Sequence, residues 1–153
     1  MESLTMFNYS RTSTLILLNK VDEKHWDKQP EGFPNTIRWN AGHVYSTAED
    51  YLSSADENFP AKRPEWGDLF LDGTRPSEWP EDVPSKEEII AALKEQKERI
   101  DHYFKDKMDR AEVSEVRDIN GTLLKTVEAS MQFVTWHEGI HLGYVNAFAK
   151  PFE

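Results

Sequence analysis

The 153-residue sequence contains no cysteine. That excludes a disulfide framework, a cysteine-based zinc finger and a cysteine nucleophile, so any thiol chemistry needs a thiol from outside the chain. Long apolar runs are missing too. The first twenty residues lack a basic segment followed by a long apolar run, and Leu15 to Leu18 is far too short for a signal peptide or a membrane span. The expectation is a cytoplasmic chain with no membrane association. Positive charge is scarce: 18 Lys and Arg stand against 28 Asp and Glu, a formal charge of −10. A surface of that sign repels phosphate backbones, and no basic cluster with interleaved aromatics offsets it, so nucleic acid is not an expected partner. Internal repeats and low-complexity runs are absent, and no strand pattern is strong enough to build a sheet.

What remains is ordinary globular material. With 38% apolar and 30% charged residues the chain is too apolar for disorder, and its length suits one domain over residues 1–153. Four segments carry helical periodicity. The first runs from about Leu4 to Val21, before a loop with Pro30, Gly32 and Pro34. The second runs from about Asn35 to Ser53, with Asn35 or Thr36 as N-cap. The third opens on a capping box, Ser85 with Glu88, followed by Ile89, Leu93, Ile100 and Phe104. The fourth runs from about Thr126 to Ala149 and is stopped by Pro151. The simplest architecture is all-α, a four-helix bundle.

Two connections stand out. Residues Ser54 to Pro84, between helices 2 and 3, hold five of the eight prolines together with Trp66 and Trp79. Such a long crossover either tethers two distant helix ends or shapes a site. Met108 to Lys125 contains Asn120-Gly121, the turn signal of a short hairpin.

The fourth helix contains His137-Glu138-Gly139-Ile140-His141. Histidines four apart on a helix share one face, one turn apart, and can bind one metal ion. Val134, Val145 and Phe148 lie on the same face, which points it inward; two buried imidazoles with no ligand would be costly there. The string also fits the pattern of zinc metalloproteases, but neither the downstream Gly and third His nor the accompanying sheet is present. A third ligand would come from upstream, and His43 is the candidate. By spacing alone, a lone helical histidine is as a rule structural.

The segments Asn35-Thr36-Ile37-Arg38-Trp39-Asn40-Ala41-Gly42-His43 and Trp136-His137-Glu138-Gly139-Ile140-His141-Leu142-Gly143-Tyr144 resemble the DinB/YfiT-like superfamily, which is associated with metalloenzymes and is distinct from the similarly named DNA polymerase. The resemblance spans essentially the whole chain. It implies a four-helix bundle with one metal on His43, His137 and His141. It also implies an S-transferase that uses a low-molecular-weight thiol such as bacillithiol on a small electrophile, and a homodimer that pairs helices. Zinc and nickel both suit imidazole ligands. Three imidazoles leave a coordination position open, as catalytic sites do. A metal-dependent hydrolase and a non-catalytic metal-binding protein are the alternatives.

Glu138 is a candidate general base or hydrogen-bond partner of a ligand imidazole, with a solvated helix glutamate as the plain reading. Asn40, one turn before His43, is a candidate hydrogen-bond partner of a ligand or substrate. Gly42, Gly139 and Gly143 lie inside helices, where glycine costs roughly 1 kcal/mol relative to alanine, so close helix approach near the metal is expected. Trp39 and Trp136 are expected in the core, and His25 and His102 in solvent.

Overall fold

A computed structural model of the chain describes residues 2–109 and 112–153. Its elements are α1 (Glu2–Lys20), α2 (Ile37–Ala55), α3 (Gly67–Phe70), α4 (Lys86–Phe104), β1 (Glu112–Ile119), β2 (Thr122–Thr126) and α5 (Val127–Ala149). Short 3-10 turns at Glu23–His25, Pro64–Trp66, Pro76–Glu78 and Lys150–Phe152 join them. The chain is mostly helical, and the all-α expectation needs one correction: an antiparallel hairpin is added before the last helix. Among the described residues no helix is long and apolar enough to cross a membrane.

The helices α2, α4 and α5 each start on a side-chain cap. Thr36 accepts from the Trp39 amide, Ser85 from Glu88 and Thr126 from Ala129, which satisfies donors that a helix start leaves unpaired. The hairpin turns at Asn120 (φ 51°) and Gly121 (φ 89°). Two successive left-handed residues make the tight turn whose twist suits paired strands, and Asn-Gly tolerates it best. Arg117 then pairs with Leu124 and Ile119 with Thr122. β1 is exposed along most of its length, so no alternation of apolar and polar residues announces it.

Side-chain bonds give the directions of the helices. Ser3 bonds Glu128 and Arg11 bonds Glu138, so α1 and α5 run parallel. Gln96 bonds the Tyr45 carbonyl and Tyr103 bonds Asp56, so α2 and α4 also run parallel. Asn40 meets His141 while Tyr51 meets Phe133, which sets α2 antiparallel to α5. Asn8 bonds Asp101 while Lys86 bonds the Asn19 carbonyl, which sets α1 antiparallel to α4. Consecutive long helices that run the same way need a return path. A 19-residue helix is about 28 Å long, and the proline-rich crossover between α2 and α4 covers that distance.

The core falls into two apolar clusters. One gathers Leu18, Trp26, Tyr45, Phe70, Leu93 and Val145. The other gathers Phe7, Leu52, Phe59, Ile100, Phe104 and Met131. Between them each long helix contributes a buried polar residue: Arg11, Glu49, Gln96 and Glu138. Arg11 forms a two-pronged ion pair with Glu138 (2.8 and 3.1 Å) and donates to the Leu93 carbonyl at 3.0 Å. Arg99 forms a second such pair with Glu49 (2.7 and 3.0 Å). The two parallel helix pairs are thus each joined by one arginine and one glutamate.

Candidate metal centre

His43 projects from α2 and His137 and His141 from α5, where these antiparallel helices face each other. One potential ligand nitrogen from each of the three lies within 4.8 Å of the others. The Nε2 atoms of His43 and His137 are 3.0 Å apart. Nitrogens bound about 2.05 Å from one tetrahedral ion are about 3.3 Å apart, so this separation is already close to that of two ligands on one ion.

Hydrogen bonds fix which nitrogens are free. His43 Nδ1 lies 2.6 Å from the Phe70 carbonyl, which can only accept, so Nδ1 carries the proton and Nε2 is left with its lone pair. His141 Nδ1 lies 2.7 Å from Asn40 Oδ1. The orientation of the Asn40 amide is itself set, because its Nδ2 donates to the Thr36 carbonyl at 2.8 Å and to Asn35 Oδ1 at 2.9 Å. Asn40 therefore accepts from His141 Nδ1 and leaves His141 Nε2 bare. Such partners behind a ligand are the usual way to orient an imidazole toward a metal. Trp39 stacks on His43, with ring centroids 4.3 Å apart and planes 15° from parallel, and its indole Nε1 donates to Thr74 at 2.9 Å. The expectation that Trp39 is buried holds, and the ring also forms one wall of the site.

Burial pushes the imidazoles toward neutrality. It lowers the pKa of His43, and, with the neighbouring histidines adding to the effect, brings His137 down to about 4 and His141 to about 3. Neutral imidazole is the form that can hold a metal ion. This sets a pH dependence for the metal-free protein. An unfolded histidine titrates near 6.5, so between about pH 6.5 and 4 the unfolded chain binds more protons than the folded one. Stability is therefore full above the unfolded pKa and is lost as pH falls through that window, by up to about 1.4 kcal/mol per unit for each histidine. Urea unfolding of metal-free protein from pH 7.5 down to 4 checks this; the slope of stability against pH should drop in the His137→Ala/His141→Ala variant, and an unchanged slope would refute the assignment.

Gly42, next to His43, is the helical glycine with the closest neighbour: a Cβ there would overlap the Phe70 ring, whereas one at Gly67 would come only to 3.1 Å from Leu71. Gly42→Ala is expected to destabilise the fold by about 1–3 kcal/mol and to displace the carbonyl that orients His43. Thermal unfolding and a change in the imidazole resonances of His43 report the two effects. Gly139 and Gly143 differ from the expectation of close approach, since a Cβ at either would meet nothing within 4 Å. Trp136 also differs, being 61% exposed rather than core. Turning His137 and His141 toward α2 turns Trp136, Gly139 and Gly143 outward on the same helix.

The remaining candidates separate. Asn40 is at the triad. Glu138 is 1% exposed and lies in the ion pair with Arg11, between α1 and α5. His102 is exposed, and His25 stacks on Phe152 with centroids 3.8 Å apart, so neither joins the triad. Two residues at the site came from no sequence argument. The Phe70 carbonyl and the exposed Asp72 carboxylate, 3.7 Å from His43 Nε2, both belong to the crossover. Only the length of that loop hinted at a role, since loop residues carry no periodicity to place them.

A comparison with curated proteins finds no match for the chain. The family model of the DinB superfamily matches residues 6–145, which takes in the three histidines of the triad and most of every long helix. The triad could hold a metal ion, in keeping with the metal association of that superfamily. On the extent of that match, the chain belongs to the DinB superfamily.

Proposed function

We propose that this protein is a single-domain four-helix bundle that binds one divalent ion, zinc or nickel, through Nε2 of His43, His137 and His141. We further propose that it acts in the cytoplasm as an S-transferase, joining a low-molecular-weight thiol to a small electrophile. The carrying observation is the convergence of three neutral imidazoles, two with their Nδ1 protons committed to Phe70 and Asn40. A divalent ion held there supplies Lewis acidity and lowers the pKa of a thiol that reaches it. The chain's own residues orient and shield. Phe70 and Asn40 fix two imidazoles, and Trp39 keeps water from one face of His43. In the transfer the thiol gives up its proton to solvent, its sulfur bonds the electrophilic carbon, and the leaving group departs with the electron pair of the broken bond. We assign Glu138 to holding α1 on α5, because both carboxylate oxygens are engaged by Arg11.

The exposed Asp72 carboxylate beside His43 favours metal-dependent hydrolysis as a second reading, since a carboxylate so placed can accept a proton from water. The two are separated by loading the protein with zinc or nickel and mixing it with bacillithiol or glutathione and a chlorodinitrobenzene electrophile. Conjugation above the uncatalysed rate that disappears in His141→Ala supports the transferase. No acceleration with any thiol, together with hydrolysis of an ester by the same preparation, supports the hydrolase.

We also propose a homodimer through the outer face of α1 and α5. These packed helices expose Met6, Tyr9, Ile16, Trp136 and Ile140. Gly139 and Gly143 leave room beside Trp136 and Ile140 for a helix of a second copy to approach. Sedimentation at micromolar concentration is expected to show a dimer in the wild type and a monomer for Trp136→Glu; a wild-type monomer would refute the interface.

A further inference from the structure

A cleft of about 230 Å³ opens beside the triad, with His137 on one side and Arg117 of β1 on the other. Tyr51, Leu71 and Phe133 give it apolar walls, and Asp50 and Asp72 stand at its edge. Arg117 is held in place. Its Nη2 donates to Asp50 at 3.0 Å, its Nη1 donates to Ser54 at 3.0 Å, and its guanidinium lies 4.0 Å from the centre of the Tyr51 ring. A guanidinium has five N–H donors in a fixed fork, and these two bonds leave donors for a ligand. The side chain is 26% exposed, so it is neither buried away from a ligand nor loose in solvent.

The charges in the cleft decide what kind of molecule suits it. Arg117 and Asp50 cancel. A divalent ion held by the triad would outweigh the remaining lining carboxylate, Asp72, and would make the cleft positive although the chain as a whole carries −10. The planar fork of an arginine matches a carboxylate. We infer that the cleft between the hairpin and the triad binds a small carboxylate-bearing molecule, with the carboxylate on Arg117, its apolar body between Tyr51 and Phe133, and its far end toward His137. The hairpin then selects acidic substrates, while the triad does the chemistry. The inference rests on the reading of the triad as the reactive centre.

Benzoate and its neutral counterpart benzamide serve as probes, titrated by NMR into zinc-loaded and into metal-free protein. Benzoate is expected to bind zinc-loaded wild type about tenfold more tightly than benzamide and to shift the Arg117 Hε and Tyr51 ring signals. Arg117→Met, with unchanged zinc content, should lose that tenfold preference. Arg117→Lys should keep only part of it, because it keeps the charge and loses the fork. Equal benzoate affinity in wild type and Arg117→Met would overturn the inference and mean that the carboxylate binds the ion alone. Absence of zinc binding would instead sink the metal reading, and a benzoate preference that depends on Arg117 in metal-free protein would still uphold the cleft.

Discussion

Arg11→Ala is expected to destabilise the protein by about 3–5 kcal/mol, because it leaves the Glu138 carboxylate buried with no counter-charge. The side chains of Arg11 and Glu138 are 0% and 2% exposed, so water cannot take the place of the missing partner. The same substitution also leaves the Leu93 carbonyl without its guanidinium donor. Glu138→Ala should cost about as much, since it strands the guanidinium instead. Changing both at once is a different case. Arg11→Met with Glu138→Leu removes both charges and refills the volume, and such replacements are often neutral or stabilising. Urea unfolding of the two single variants and the double variant forms the test. A loss below about 1 kcal/mol in either single variant would show that the pair is open to solvent.

The second large effect concerns metal. Purified protein is expected to carry about one divalent ion per chain, the number that three convergent imidazoles and an open position would hold. His43→Ala, His137→Ala and His141→Ala should each reduce affinity by more than the roughly 10–100-fold that loss of a partner behind a ligand costs. Asn40→Leu removes only the partner of His141 and should fall within that smaller range. His102→Ala, on an exposed position of α4, should change nothing. Elemental analysis and competition with a chelator measure all five. Equal metal content in wild type and in the His137→Ala/His141→Ala variant would remove the site from consideration.

The sequence made the regular elements easy to read, because their signals are local. Ser85 and Glu88 mark the start of α4, Thr36 and Thr126 precede α2 and α5, and Asn120-Gly121 marks the hairpin turn. Helix periodicity likewise puts His137 and His141 on one face without reference to the rest of the chain. What could not be read depends on contacts between distant segments. Glu138 reads as a residue of the site because it adjoins His137, whereas its partner Arg11 is 127 positions away. Asp72 and Phe70 come to His43 only when the crossover packs on α2. Trp136 looks like core because it is large and apolar, yet its exposure follows from the direction in which two histidines turn the helix. The hairpin was legible at its Asn120-Gly121 turn but the extent of β1 was not, because a ribbon exposed along most of its length does not need alternating residues.

The polar layer between the two apolar clusters bears on how this chain avoids near-native misfolding. Greasy side chains alone discriminate poorly between one helix alignment and another displaced by a turn, since a leucine fits almost as well beside a valine as beside an isoleucine. An arginine and a glutamate do discriminate. If α1 slid one turn along α5, Arg11 would leave Glu138 and face uncharged side chains, and two charges would be stranded at once. The Arg99–Glu49 pair favours one alignment of α2 and α4 more weakly, because Arg99 also pairs with Glu95 of its own helix. Both pairs therefore act as alignment keys within their own helix pair, while the Asn40–His141 and Tyr51–Phe133 contacts hold His43 level with His137 and His141 across the α2–α5 contact. The doubly apolar Arg11→Met/Glu138→Leu variant should retain its unfolding midpoint while its NMR spectrum shows a second set of α1 signals; a single sharp set would mean that packing alone fixes the vertical position of the helices.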